Sequence, residues 1–285
     1  MKQKDTKNEH YVPVSYLANF GINGNKGRDT TSYIYNKNNN RVFESNFEII
    51  ASENKFYWIP EFEKNINILE DFFAPIESQY TTFSNILFKE ISFEPSDRKS
   101  TIVSIGSETK DFLSGYFALQ IVRTRTQRDY YKYIYDTLLT NIPYIDAPSY
   151  TKDDFRRIHT NSLLSMELAN FYANLIMDRK WIFLINHTDI PFFTSDNPFI
   201  FISHDRTTQH YSVVATDVTG YLPITPKIAI QFFDKNDSID DNSYFDIFSS
   251  KCILTYNSWI KHYSTRFVIS NKNVFDKCFV EEKFE

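Results

Sequence analysis

Lys180-Trp181-Ile182-Phe183-Leu184-Ile185 is the point at which the chain changes its period. Upstream, apolar residues recur at three- and four-residue spacings, the mark of helices with one buried face. Residues 63–90 carry Ile66, Leu69, Phe73, Ile76, Tyr80, Phe83 and Leu87 in such a stripe, and Pro75 within it predicts a kink or two helices. Residues 108–140 read as one long helix through Phe112, Tyr116, Leu119, Ile121 and Val122. Asp153 to Asp178 read as another, with Thr151 as its N-cap. Downstream, Phe199 to Ile202, Tyr211 to Val214, Ile228 to Phe233, Cys252 to Tyr256 and Arg266 to Ser270 read as short strands, punctuated by Pro191, Pro198, Pro223 and Pro226. Helices are expected over Asn242 to Lys251 and Trp259 to Tyr263. Nearer the start, Tyr33-Ile34-Tyr35 and Arg41-Val42-Phe43 flank a polar turn as a hairpin, and Phe56 to Ile59 reads as a further strand. Helices first and strands after predict an α+β fold, with a helical N-terminal half packed on a mainly antiparallel C-terminal sheet. No repeat or linker divides the chain, so residues 1–285 are expected to form a single domain.

Composition narrows the function classes. The chain has 31 basic and 36 acidic residues, a formal charge of -5, so it carries no global basic field for nucleic acid. Its six glycines include neither GxGxxG nor GxxxxGK[ST], which argues against dinucleotide and P-loop chemistry, where backbone must approach phosphates closely. Two cysteines, Cys252 and Cys278, are too few for a disulfide framework. Met1 to Glu9 is polar, without the apolar core of a signal peptide, and no apolar run approaches the ~18 residues that span a bilayer. These features set the expectation of a cytoplasmic protein with no membrane partner. The 27 Phe and 19 Tyr accompany many Ile, Asn and Lys, all of which use AT-rich codons, so aromatic content alone does not predict stacking on bases or sugars.

Two segments place polar residues among apolar ones: His10-Tyr11-Val12-Pro13 and Phe193-Thr194-Ser195-Asp196-Asn197-Pro198. His10 has the chemistry of a general base, a metal ligand or a phosphate contact, and equally that of an anchor satisfying buried backbone groups. Asp196 falls where a strand should end in a loop, either facing a cleft or bonding its own backbone in an Asx-type turn. Gln120, Arg123 and Gln127 lie at i, i+3 and i+7, on one face of the predicted helix. Arg123 can clamp a phosphate or carboxylate, or pin the helices through a salt bridge to Glu77 or Asp196. His159 falls on an apolar helix face and reads as a core residue. His187, His204, His210 and His262 lack zinc-site spacing, and Ser195 lacks a GxSxG elbow.

The same segments carry a family resemblance. The chain resembles the bacterial DUF4238 family, a domain of unknown function, through His10-Tyr11-Val12-Pro13 with Tyr16-Leu17 and Phe20, Gln120 with Arg123-Thr124, and Trp181. The Phe193-to-Pro198 run follows, then Leu222-Pro223-Ile224-Thr225-Pro226, and Asn257 leading into Arg266-Phe267-Val268. Glu70 and Glu77 match acidic positions before the central helix. Val14, Ser15 and Thr225 depart from residues common in such proteins, and none of these touches the polar centres. The resemblance covers essentially the whole chain, implies no established activity, and raises the standing of His10 and Asp196.

The expected function is a hydrolase of nucleic acid or a nucleotide, in the manner of a bacterial defence or toxin effector. His10 and Asp196 are the expected catalytic pair. Arg123, Gln120, Asn197 and Tyr11 are the expected substrate-binding groups, and Asp196 with Glu77 the expected ligands of a Mg²⁺ or Mn²⁺ ion. The alternative is a non-catalytic module binding a ligand or a protein through the same cleft. The hydrolase requires His10, Arg123 and Asp196 to converge.

Overall fold

The computed structural model describes residues 8–24, 30–62, 67–139, 149–203 and 218–279. Ahead of Lys180 lie strands as well as helices, so the fold is α+β but its first half is not purely helical. β1 (Asn8–His10), β2 (Thr31–Asn36), β3 (Arg41–Asn46) and β4 (Ser52–Asn54) make two antiparallel pairs, β1 with β4 and β2 with β3. The β2–β3 hairpin is the one expected, whereas Phe56 to Ile59 is irregular and the strand lies just before it. Phe56, Tyr57 and Ile59 are buried there without joining a sheet.

The helices follow. α1 (Val14–Leu17) begins directly after Pro13, and α2 (Ile68–Glu90) runs through Pro75 as one helix rather than two. The long helix expected over 108–140 is broken: α3 (Ser107–Val122) ends at Arg123, and α4 (Arg125–Ile134) starts anew. Thr124 is extended at the break (φ −71°, ψ 161°) and its side chain accepts the Gln127 N–H at 3.3 Å, an N-cap in mid-chain. The helix expected over 153–178 is broken too, into α5 (Lys152–Ser165) and α6 (Glu167–Asp178), at Met166 with φ +58°. Thr151 caps α5 as expected, in a full capping box with Asp154.

Beyond these, β5 (Lys180–Asn186) is followed by β6 (Thr194–Ser195), β7 (Ile200–Ser203), β8 (Val218–Thr225) and β9 (Ile228–Phe233). β10 (Ser243–Ile247), α7 (Ser250–Tyr263), β11 (Phe267–Ser270) and α8 (Phe275–Cys278) complete the described chain. Two expectations are reversed here: Asn242 to Lys251 contains a strand, and Cys252 to Tyr256 is helical. Ile253, Asn257 and Ile260, buried at spacings of four and three, hold α7 in helical register despite its β-prone composition. Tyr211 to Val214, His204, His210 and residues 281–283 lie outside the described residues.

One sheet has the order β10-β5-β9-β8-β7, antiparallel except for β10 beside β5. A second has the order β3-β2-β11-β6, antiparallel throughout, so the early hairpin is completed by strands from the far end of the chain. β5 explains the run that opens the sequence argument. Its Trp181, Phe183 and Ile185 enter a core shared with α2, α3 and α6, while Ile182 and Leu184 enter a second core shared with α7 and α8. A strand apolar on both faces needs cover on both, and helices supply it on each side.

Candidate functional site

Arg123 closes α3 and turns inward, 1% exposed. Its Nη1 donates to Glu77 Oε1 at 2.7 Å, its Nη2 to the His10 carbonyl at 2.8 Å, and its Nε to the Tyr57 hydroxyl at 3.4 Å. The guanidinium lies 3.9 Å from the centre of the Phe73 ring. Of the two salt bridges open to Arg123 on sequence grounds, the one to Glu77 forms. The result is a buried knot joining β1, α2, α3 and the Tyr57 segment.

His10 donates through Nε2 to the Phe47 carbonyl at 2.9 Å. A carbonyl can only accept, so the proton sits on Nε2 and Nδ1 is the uncommitted acceptor. Burial pulls the His10 pKa below its usual value. Glu70, one helical face along from Glu77, accepts the His10 backbone N–H, yet its Oε1 is buried without a partner. Burial is the larger influence and lifts the Glu70 carboxyl to about 7 against the pull of Arg123. Glu9, 3% exposed, accepts the Tyr57 N–H at 2.7 Å.

Asp196 is placed elsewhere. It is fully buried, and its carboxylate accepts N–H groups from Thr265 (2.9 Å), Arg266 (2.8 Å) and Phe267 (3.1 Å). Burial lifts it to about 6 in spite of these donors. The local turn expected of Asp196 is made instead by Ser195, whose Oγ receives the Asn197 N–H at 3.1 Å. Asp196 thus reaches across the chain to hold the entry to β11. No hydrogen bond or ion pair links it to His10, Arg123 or Glu77. Tyr11, 4% exposed, lies close enough for its hydroxyl to feel the Asp196 charge, and its ring packs against Phe56. Asp196 receives three backbone N–H groups and Glu77 pairs with Arg123 through Oε1, so each of the two expected Mg²⁺ or Mn²⁺ ligands has its own partner in the chain. Among the described residues no three His, Cys, Asp or Glu side chains gather around one point. Gln120 is fully buried in α3 with neither amide atom partnered, and the break at Thr124 separates it from Gln127, with which it was expected to share a face.

That break opens a cavity of about 160 Å³ between the α3–α4 junction, α6, the start of β7 and the end of α7. Gln127 and Asn197 supply amides to its wall, Tyr130, Tyr172 and Phe201 supply rings, and His262 stands at its exposed side. Asn197 donates through Nδ2 to the Tyr263 carbonyl at 3.0 Å, and its Oδ1 accepts nothing from the described residues. Gln127 is 7% exposed and its side-chain amide makes no hydrogen bond. The sequence held a signal for this. Thr124-Arg125-Thr126-Gln127 has the T-x-x-Q pattern of a capping box, in which the Gln side chain returns to the cap. Only half of that box forms: Thr124 accepts the Gln127 N–H, and the Gln127 amide is left to the cavity.

The family described as "Protein of unknown function (DUF4238)" matches residues 8–273. The chain belongs to the DUF4238 family. No curated protein and no solved structure matches it. The matched span of this DUF4238 protein runs from β1 past β11, so it holds the Arg123 knot, the Asp196 clamp and the cavity alike. Among the described residues no helix is long and apolar enough to cross a membrane.

Two outcomes test these assignments. Asp196→Ala strands three buried or half-buried N–H groups and should cost at least about 3 kcal/mol, whereas His10→Ala loses one side-chain bond and should cost about 1 kcal/mol, read by chemical denaturation. Equal costs would contradict the clamp. Glu70 holds a proton in the folded chain that the unfolded chain releases from its ordinary 4.5 upward. Stability from this group is therefore full below about pH 4.5 and falls as pH rises through about 7. Glu70→Gln should flatten that slope, by about 3 kcal/mol across the window, when compared with wild type.

Proposed function

We propose that the protein is a binding module for a small uncharged molecule, held in the cavity between the α3–α4 junction and α7. One observation carries this reading: Gln127, 7% exposed, lines the cavity with an amide that makes no hydrogen bond among the described residues, beside rings and the Asn197 amide. Both its donor and its acceptor are open to the cavity, and a ligand that pairs with them there gains hydrogen bonds in a site of low exposure. Among the described residues no lysine, arginine or carboxylate lines this cavity, so a charged ligand group would find no fixed counter-charge from them. The size argues for one ring: a cavity of about 150 Å³ holds a benzene-sized molecule.

The expected outcome is stabilisation by small neutral aromatic compounds in thermal unfolding. A ligand at ~100 times its Kd adds about 2.7 kcal/mol, a shift of several degrees for a chain of this length. Thr126→Trp, which places an indole in the cavity wall, should abolish the shift. A shift that persists in this variant would move the site elsewhere.

Hydrolysis of a nucleotide or nucleic acid is a second reading, favoured by one pair of groups. His10 has a free Nδ1 and a pKa that burial holds down, which keeps it a neutral base, and the neighbouring Glu70 carboxyl is lifted by burial to about 7, which keeps an acid available near neutrality. Here Arg123 orients rather than binds, and Asp196 takes no part. Turnover of labelled RNA, DNA or nucleotides with Mg²⁺ or Mn²⁺, lost in both His10→Ala and Glu70→Gln, is the expected result on this reading. Absence of turnover in wild type rejects it.

A further inference from the structure

We infer that the cavity is built for a nucleobase carrying an exocyclic amino group, with cytosine the best match in size. The inference rests on the cavity being a ligand site, and adds which ligand it selects. Its basis is the set of hydrogen-bonding positions left open on the wall. Gln127 offers one donor group and one acceptor side by side, free because its half of the capping box does not form. Asn197 spends Nδ2 on the Tyr263 carbonyl, which fixes the rotation of its amide and leaves Oδ1 as a pure acceptor. The chain therefore asks of its ligand one acceptor and donors for two separate oxygens. The edge of a nucleobase with an amino group beside a ring nitrogen meets that demand. The ring nitrogen accepts from Gln127, and the two amino hydrogens can serve Gln127 Oε1 and Asn197 Oδ1. Gln and Asn pair with base edges in this bidentate way wherever proteins read adenine.

Uracil and thymine place a carbonyl where the amino group would be. Their oxygen would face Asn197 Oδ1, acceptor against acceptor, and one of the two would be buried unpaired. A site that pairs with a donor discriminates strongly against an analogue lacking it, because its own polar group is then stranded. The walls suit a flat ring as well. Tyr172 and Phe201 stack on one another, with centroids 6.3 Å apart and planes 22° from one another, and so form one aromatic wall against which a ring can lie. Tyr130 lines the same cavity from α4. Among the described residues the lining holds no lysine or arginine to receive a phosphate, which favours a base or nucleoside over a phosphorylated nucleotide.

The test is calorimetric titration of the full chain with cytidine, uridine and indole, repeated on Gln127→Leu. Leucine keeps the volume of the side chain and removes both polar atoms, and unchanged thermal unfolding of the unliganded variant checks that it folds. Cytidine should bind at least tenfold more tightly than uridine, and Gln127→Leu should weaken cytidine binding at least tenfold while indole binding is kept or improved. Equal binding of cytidine and uridine, or cytidine binding that is unchanged in Gln127→Leu, overturns the inference while leaving the cavity as a ligand site, provided that indole binds. Failure of all three compounds to bind overturns both readings together.

Discussion

A guanidinium withdrawn completely from water sets the arrangement of this molecule. Arg123 cannot lose its charge, and removing a charge of that size from solvent costs several kcal/mol unless partners surround it. The partners come from separate parts of the chain: a carboxylate from α2, a backbone carbonyl from β1, a hydroxyl from Tyr57 and the face of Phe73. Meeting that demand fixes where α3 stops. The residue that turns inward is the last of its helix, and the next, Thr124, is extended and starts a new helix on a new axis. The cavity, the misdirected Gln127 and the placement of α4 all follow from that turn. A continuous helix would leave neither the bend nor the space.

Asp196 plays the complementary part at the other sheet. Fully buried, it substitutes three backbone N–H groups for water, and so holds the start of β11 beside β6. Two polar residues that stand out in the sequence are thus both structural in their contacts, one basic and one acidic, each satisfied at a separate place. The neighbouring Asn197 and the later Gln127 are left with open valences. Buried polar groups that find partners build the frame, and the ligand site proposed above rests on these two amides that do not.

How much of this the sequence disclosed depends on the range of the forces involved. The β2–β3 hairpin, the Thr151 cap and β5 were legible because their signals are local: alternation, a capping box, and an apolar run bounded by polar residues. α7 was not, because its buried stripe contains Asn257, whose amide takes the Phe193 N–H and donates to the Pro191 carbonyl, so the apolar periodicity is interrupted by a residue that is nonetheless interior. β10 was not, because Phe245 is 54% exposed and the strand takes its place from parallel pairing with β5 rather than from its own pattern. The site divides in the same way. The Arg123–Glu77 pair could be named from residue types. The fate of Asp196 could not, since its donors lie about seventy residues away, and a cavity assembled from Gln127, Asn197 and His262 has no contiguous trace at all.

The placement of β11 has a consequence for how the chain matures. β11 lies between β2 and β6, pairing Phe267 with Asn36 on one side and Val268 with Ser195 on the other. On a ribosome the hairpin emerges early, yet its inner edge has no neighbour until β11, more than two hundred residues later, is released. Contacts so distant along the chain make closure slow, and an unsatisfied strand edge held open through synthesis is a template for association with other chains. The four-stranded sheet therefore cannot form vectorially. It forms only once β11 arrives, with Asp196 placed to receive it.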